Sequence, residues 1–361
     1  HSASLVLALV AFVGVERARR QKSVWWAGAA GLAVGALLHV RPLEAVVVAA
    51  VAGIWWLAAG LRQIRPAALA SCIAGGLLMT ALFLAYNRHM TGDPLRMPLN
   101  TYTDLYEYPG ANRYGFGEDV GNFGWRGLDA LPGHGAFDVF MNTNQNLYLV
   151  QFELFGWAAG SLLFVALLLL WGRWRRDALP WIWCAAVWLA MSGYWFSGGP
   201  DFGARYWYLM VVPLAVLTVR GAEDFAEKSR SAGWDAGQRV WAFVAIATLT
   251  GAFNLLVWRS LDKYSNYRGM RPDVQRLAKE NNFGRSLVLI RGRVFPDYSA
   301  AAAFNPPLLE PSAEGPIFAR DLGPDSVERL RAYLKDRNVW IVEGPTVTGG
   351  RFRLAERPPV P

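Results

Sequence analysis

Residues 24–61 read VWWAGAAGLAVGALLHVRPLEAVVVAAVAGIWWLAAGL, and they contain two apolar segments joined by a short turn around Arg41. The segments, 24–40 and 43–61, are each near the roughly 20 residues that cross the hydrocarbon core of a bilayer. They predict two membrane-spanning helices with Arg41 at the membrane edge.

The rest of the chain repeats this pattern. Hydrophobic residues make up 53% of the 361 residues and charged residues only 18%, with a mean hydropathy of +0.19, which is too apolar for an ordinary soluble chain. We therefore predict a mainly α fold, a polytopic membrane helix bundle of about eight spans. The six other apolar segments are 2–15, 66–86, 147–171, 178–196, 204–219 and 238–258.

The basic residues indicate the orientation of this bundle. Four of the predicted loops hold 13 Lys and Arg residues, and three others hold 6, so the positive-inside rule places the first set in the cytoplasm. The net charge of +8 therefore reflects membrane topology, and we expect no nucleic-acid partner. The cytoplasmic loops are 16–22, 62–65, 172–177 and 220–239, and the exterior loops are 39–42, 87–146 and 197–205.

The predicted transmembrane domain, 1–258, is followed by an extracytoplasmic domain, 259–361, in which charge rises and apolar runs shorten. Residues 286–292 and 338–344 are typical of buried strands, and 325–337 is typical of an amphipathic helix between them. This order predicts a small α/β domain. It carries no nucleotide-binding or hydrolase motif, so we assign it a structural or substrate-shaping role.

The exterior loop 87–146 is rich in Tyr, Gly, Asn and acids, and we predict that it covers a site at the outer membrane face. Its carboxylates suit a general base, although a solvated loop carries such acids as well. Its tyrosines suit an interfacial aromatic belt or stacking on a sugar ring, and their interleaving with Asn and Asp favours the sugar. The candidate substrate-binding residues are Asp93, Tyr102, Asp104, Tyr106, Arg113, Tyr114 and His134.

No metal site is predicted. His89, Asp93 and His134 lack a diagnostic ligand spacing, and Cys72 and Cys184 lie inside apolar segments, where they are interpreted as packing residues. We therefore predict no cofactor, and the sequence leaves open whether a divalent metal is required.

Two arginines are the candidate lipid-phosphate ligands. Arg41 and Arg205 lie at the exterior ends of predicted spans, and a guanidinium suits bidentate contact with phosphate. The alternatives are snorkelling to lipid headgroups and, for Arg205, pairing with Asp201.

Glu153 is a further candidate functional residue, because it lies about one to two turns inside the fifth span if that helix begins near Leu147. A helix that begins later leaves Glu153 at the interface.

Several short strings occur together in one order: RP at 41–42, YN followed by TGDPL within 86–95, YGFG at 114–117, LFGW at 154–157 and GARYW at 203–207. In this combination the chain resembles the membrane glycosyltransferases of the GT-C superfamily. The resemblance is to the bacterial family 39-like proteins, which are similar to protein O-mannosyltransferases and to the lipid A aminoarabinose transferase. It covers the predicted transmembrane domain.

The resemblance implies transfer of a sugar from a polyprenyl-phosphate donor to a glycan, lipid or protein acceptor on the outer face of the bacterial inner membrane. It also implies that Arg41 and Arg205 lie near the carrier phosphate. In such enzymes the catalytic carboxylate lies in the first exterior loop, which is expected upstream of His1 in this N-terminally truncated fragment. The catalytic residue is therefore unknown.

Two other functions remain open. A transporter or flippase of a lipid-linked saccharide predicts broken helices in two repeated halves, and no such repeat is visible. A non-enzymatic membrane scaffold that binds a partner through its exterior domain is compatible with every sequence feature. Membrane lipids are expected partners under each of these hypotheses.

Overall fold

The structure is a computed structural model of the chain, and it describes residues 1–58, 60, 64–106, 109–121, 133–173, 178–199, 202–267, 270–293, 295–306 and 309–356. The described part is mostly helical and contains a small four-stranded sheet. The chain divides into two compact units, His1–Leu255 and Leu256–Pro361, which we call the helical unit and the C-terminal unit.

The helices of the helical unit follow most of the predicted apolar segments. They are α1 Ser2–Gln21, α2 Val24–Val40, α3 Pro42–Leu57, α4 Pro66–Thr91, α5 Pro98–Tyr106, α6 Ala136–Glu153, α7 Leu163–Trp171, α8 Ala178–Ser192, a 3-10 helix Arg205–Met210, α9 Val211–Ser231 and α10 Gly237–Trp258. Among the described residues, two helices are long and apolar enough to cross a membrane, namely Pro66–Thr91 and Gly237–Lys263. The apolar helices α2, α3 and α8 are shorter.

Arg41 and Pro42 turn the chain between α2 and α3. Arg41 has an extended backbone, with φ −155° and ψ 94°, because the ring of a following proline disfavours the helical conformation. Pro42 is the first residue of α3, where its missing N–H leaves no helical hydrogen bond unmade. The turn therefore holds Arg41 at the junction of the two helices.

Glycines let α2 and α4 approach closely. A Cβ atom at Gly75 would lie 2.7 Å from the carbonyl oxygen of Gly28, and one at Gly35 would lie 2.5 Å from Cβ of Met79. Contacts this short are possible only without a side chain, so the two backbones meet directly. The His39 ring contacts the carbonyl oxygen of Met79 at 3.0 Å through Nε2, which fixes the end of α2 against α4.

The predicted fifth span, 147–171, is wrong as a single helix. The chain forms α6 and α7 there, and residues 154–162 between them are not helical. Gly156 and Gly160 have φ values of 66° and 90°, left-handed conformations that interrupt a right-handed helix. In addition, α6 begins at Ala136, inside the predicted exterior loop. Apolar composition alone did not reveal the two glycine turns.

The seventh predicted span and the predicted loop 87–146 also differ from expectation. The segment 204–219 opens as a 3-10 helix, and α9 continues to Ser231, into a predicted cytoplasmic loop. The loop contains α5 and the start of α6. Polar helices such as these escape a search for apolar segments.

The C-terminal unit is a small α/β domain. Its strands are ordered β2-β1-β3-β4, with β1 parallel to both β2 and β3, and β4 antiparallel to β3. Side chains of β1 point alternately to two apolar clusters, so the strand is buried on both faces. The elements are α11 Asp273–Glu280, β1 Ser286–Arg291, α12 Phe295–Ala302, β2 Ile317–Arg320, α13 Pro324–Tyr333, β3 Asn338–Glu343, α14 Pro345–Thr348 and β4 Arg353–Glu356.

The predicted strands 286–292 and 338–344 and the predicted helix 325–337 are confirmed as β1, β3 and α13, with slightly different ends. The predicted connection of β1 to β3 by one helix was incomplete, because the short strand β2 lies between β1 and α13 in sequence. As a result, β1 and β3 are neighbours in the sheet but not consecutive strands.

Candidate functional site

A cavity of about 910 Å³ lies at the turn between α2 and α3. Its lining mixes apolar side chains with charged and polar ones, and it comes from α2, α3, α4, α5, the following loop, the end of α8 and the residues after it. The charged and polar residues of the lining include Arg41, Glu44, Tyr86, Asn87, Asn112, Tyr114, Tyr194 and Tyr206. A mixed wall of this kind suits a ligand with a lipid tail and a polar head.

Arg41 is held in a defined position beside the cavity. Its guanidinium donates to Oε1 of Glu44 at 2.9 Å, contacts Nε2 of His1 at 3.0 Å, and lies 5.4 Å from the ring centroid of Tyr206. Glu44 lies in the first turn of α3, where the helix dipole favours a carboxylate. Only 1% of Glu44 is exposed, and its Oε2 has no hydrogen-bond partner among the described residues.

Arg205 lies in a cage of aromatic rings. Its guanidinium carbon is 5.7 Å from the ring centroid of Phe196, 5.1 Å from that of Phe202 and 5.3 Å from that of Tyr206. Within the described part of the chain, Arg205 makes no ion pair, and its Nε is buried without a partner. Asp201, the partner predicted from the sequence, lies outside the described residues.

Tyr194 and Tyr206 connect the two arginines. Tyr194 packs edge-on against Tyr206, with 5.3 Å between the ring centroids. The Tyr194 hydroxyl donates to Oδ1 of Asn112 at 3.3 Å. The structure thus brings Arg41 and Arg205, predicted from distant parts of the sequence, to one tyrosine ring.

The described loop segment 109–121 is anchored to the end of α8 and the turn that follows it. Tyr114 lines the cavity, and His134 is buried and stacks on Phe116 with 5.2 Å between ring centroids. The anchoring hydrogen bonds run from Tyr114 Oη to Ala190 O at 2.8 Å, from Gly115 N to Gly193 O at 2.8 Å and from Trp195 Nε1 to Ala111 O at 2.9 Å. His134, whose backbone pairs with Gly117 of this segment, contacts Ser192 O at 2.9 Å through Nε2.

The other predicted loop residues stabilise the loop itself. Asp93 accepts from the Leu95 amide at 2.8 Å in a tight turn, Asp104 pairs with Arg96 at 3.1 Å, and Arg113 pairs with Asp119, and none of them is among the described residues that line the cavity. Tyr102 is 47% exposed. The side chain of Tyr106 lies outside the described residues.

Glu153 is not inside a span that begins near Leu147. It is the last residue of α6, and a Cβ atom at Gly203 would collide with its carboxylate. Glu153 therefore lies beside the segment that leads into Arg205. Among the described residues, no group of three His, Cys, Asp or Glu side chains has the arrangement of a metal site.

Sequence reasoning missed Glu44, Tyr194 and Tyr206 as members of the site. Glu44 had a detectable signal, because it is an acid in an apolar segment and stands three residues after Arg41, the spacing of an ion pair on a helix. The two tyrosines had no such signal, since their position depends on how α8 and the 3-10 helix pack.

No family model, no curated protein and no solved structure matches the chain.

Proposed function

We propose that this chain belongs to a polytopic membrane glycosyltransferase that moves a sugar from a polyprenyl-phosphate donor to an acceptor on the extracytoplasmic face. The observation that carries the proposal is the pair Arg41 and Arg205 on the Tyr206 ring. Arg41 and Tyr206 line a cavity that carries both apolar and polar side chains. In this proposal the arginines contact the donor phosphate, the apolar lining residues contact the prenyl tail, and the Asn and Tyr side chains contact the sugar.

Placement in a membrane is supported by the exposure of the two long apolar helices. Only 6% of the apolar window of Pro66–Thr91 and 11% of that of Gly237–Lys263 is buried. Exposed apolar surface costs about 25 cal/mol per Å² in water, so a lipid environment suits these helices. We propose that the shorter apolar helices complete a bundle of about eight spans around the cavity.

The chemistry of the leaving group fits the two arginines. When the bond between the sugar and the phosphate oxygen breaks, negative charge develops on the carrier phosphate. Guanidinium groups already held in place stabilise that charge without reorganisation, and more strongly than they would in water. The anchored loop 109–121 limits the access of water to the sugar, which favours transfer to the acceptor over hydrolysis.

The test is donor binding to the purified chain in lipid nanodiscs, with a polyprenyl-phosphate-linked sugar as the probe. Arg205→Ala is expected to weaken binding roughly 100-fold, because a charge-assisted hydrogen bond to phosphate contributes about 2–3 kcal/mol. Arg96→Ala is the matched control, since it removes the same type of side chain but one that pairs with Asp104 in the loop. Equal affinity of Arg205→Ala and the unaltered chain would refute the phosphate role.

Two further outcomes separate the alternative functions. Movement of intact labelled donor across proteoliposomes, without sugar transfer to any acceptor, would identify a flippase. Failure of the unaltered chain to bind the donor at all would favour a scaffold.

A further inference from the structure

Three side-chain oxygens of residues that line the cavity have no hydrogen-bond partner among the described residues. They are Oδ1 of Asn87 in α4, Oδ1 of Asn100 in α5 and Oε2 of Glu44 in α3. Asn87 is 0% exposed and Glu44 is 1% exposed, so bulk water does not supply the missing bonds. Buried acceptors in folded proteins are nearly always paired, and an unpaired one lowers stability. The three oxygens therefore indicate a bound group that donates hydrogen bonds.

The orientation of the Asn87 amide is fixed. Its Nδ2 donates to the carbonyl oxygen of Pro94 at 3.1 Å, and because a carbonyl can only accept, the amide nitrogen has to face it. The other side of the amide is therefore an acceptor. Asn112 of the same lining differs, since its Nδ2 donates to Thr103 Oγ1 and its Oδ1 accepts from Tyr194. Within the described part of the chain, both polar atoms of Asn112 are used, whereas Asn87 keeps an acceptor for a ligand.

Neutral hydroxyl groups and cations both pair with such oxygens, and the charges of the lining decide between them. Glu44, the carboxylate of the described lining, forms an ion pair with Arg41 at 2.9 Å, so these two charges balance. The Glu153 carboxylate lies beside Gly203 and is not among the described lining residues. Without an excess of negative charge, the lining does not favour an ammonium group or a metal ion, and hydroxyl groups are the donors that fit.

We infer that the cavity takes a neutral sugar that carries hydroxyl groups and discriminates against acidic sugars, with Asn87 as a specificity-determining residue. The inference rests on the proposed function, because it places the sugar of a polyprenyl-phosphate donor in this cavity. Hydroxyl groups of the sugar donate to the oxygens of Asn87 and Asn100. The carboxylate of a uronic acid only accepts hydrogen bonds, so it would leave these oxygens unpaired, and a site built to pair with hydroxyl groups rejects such a ligand.

The test compares three probes that share a farnesyl chain and a phosphodiester and differ in the ring on the phosphate. They are farnesyl glucosyl phosphate, farnesyl cyclohexyl phosphate, which has no hydroxyl groups, and farnesyl glucuronosyl phosphate, which has an added carboxylate. The unaltered chain in nanodiscs is expected to bind the glucosyl probe roughly tenfold or more tightly than either other probe, as the loss of one or more buried hydrogen bonds predicts.

Asn87→Leu removes the acceptor at nearly constant volume. It is expected to reduce the preference for the glucosyl over the cyclohexyl probe by about tenfold. Thr91→Val is the matched control, because Thr91 Oγ1 bonds to the carbonyl oxygens of Asp93 and Arg96 in the turn that the bond from Asn87 to Pro94 also holds. This control loosens the same turn and leaves the preference unchanged.

Asn100→Ala provides the measurement if Asn87→Leu fails to fold. The Asn100 Oδ1 bonds to no described group, and alanine is a good helix former within α5. This variant is expected to reduce the same preference several-fold, as the loss of one hydrogen bond at a partly buried position predicts. Circular dichroism checks the helical content of every variant.

Three results would overturn the inference, and they differ in what they leave standing. If Asn87→Leu leaves the preference for the glucosyl probe unchanged, the amide only holds the turn, and the proposed function survives. If the glucuronosyl probe binds as tightly as the glucosyl probe, the cavity does not select neutral sugars. If the unaltered chain binds none of the three probes, the proposed function itself fails.

Discussion

The cavity of the helical unit and the carboxyl edge of the C-terminal sheet are both places where ligands commonly bind. In the sheet order β2-β1-β3, β2 lies on one side of β1 and β3 lies on the other. The chain therefore changes sides of β1 between β2 and β3, which makes a switch point between β1 and β3. Open α/β sheets bind ligands in the crevice at such a point. In this chain, however, the crevice is filled by the Asp297 side chain, which is 2% exposed.

Asp297 accepts hydrogen bonds from the backbone N–H of Thr346, at 3.0 Å, and from the Thr346 hydroxyl. Gly292 and Gly344, at the ends of the two strands, have no room for a Cβ beside this carboxylate. The helical unit instead leaves about 910 Å³ open beside Arg41. A crevice that is filled by a side chain of the protein contributes to stability, whereas an open cavity can bind a ligand. The topology of the sheet alone therefore does not identify the site.

Asp297→Ala has the largest expected effect, and it acts on the C-terminal unit. It leaves the half-buried N–H and hydroxyl of Thr346 without this acceptor, and we expect the unfolding free energy of this unit to fall by about 2–4 kcal/mol. Hydrogen exchange of peptides from β1 and β3 measures the loss. Asp297→Asn keeps one acceptor oxygen, and it should lose less. Weaker donor binding without faster exchange would place the donor at the switch point of the sheet and not in the cavity.

Gly193→Ala tests the cavity of the helical unit, because it disturbs the cavity without removing a polar group. A Cβ atom at Gly193 would lie 2.5 Å from Cζ of Tyr114, so the ring and the loop must move. Overpacking of this kind costs about 1–3 kcal/mol, and we expect donor affinity to fall roughly tenfold or more.

Gly53→Ala is the control for Gly193→Ala, since a Cβ at that position of α3 meets no described atom within 4 Å. Isothermal titration calorimetry of both variants gives the comparison. If the two glycine variants bind the donor equally well, the loop does not shape the cavity.

The sequence predicted the continuous elements of the fold and missed the interruptions and the short strands. Apolar segments predicted the positions of α1 to α4, α8 and α10, because each is a continuous run in one conformation. The fifth segment failed because Gly156 and Gly160 adopt positive φ, which composition does not report. In the C-terminal unit the longer strands were predicted and the four-residue strands β2 and β4 were not, since so few residues carry no periodic pattern.

The candidate site was predictable only in part, for a related reason. Arg41 and Arg205 stood out because a charge at the end of an apolar segment is visible in the sequence. The loop acids Asp93 and Asp104 looked equally suitable, but each is bonded to its own loop, which is a local property that sequence position does not reveal. Tyr206 joined the site through tertiary packing.

Tyr114→Phe has the smallest expected effect, and it tests whether the loop that covers the cavity also contributes to binding. The phenol donates to the carbonyl oxygen of Ala190 at 2.8 Å, and its loss should weaken the anchoring of the loop by about 1 kcal/mol while the ring still lines the cavity. We expect hydrogen exchange in 109–121 to quicken and donor affinity to fall only a few-fold, roughly as that free energy implies. Tyr148→Phe, at a tyrosine that is 70% exposed, is the matched control. Faster exchange with full affinity would mean that the loop covers the cavity without contributing to binding.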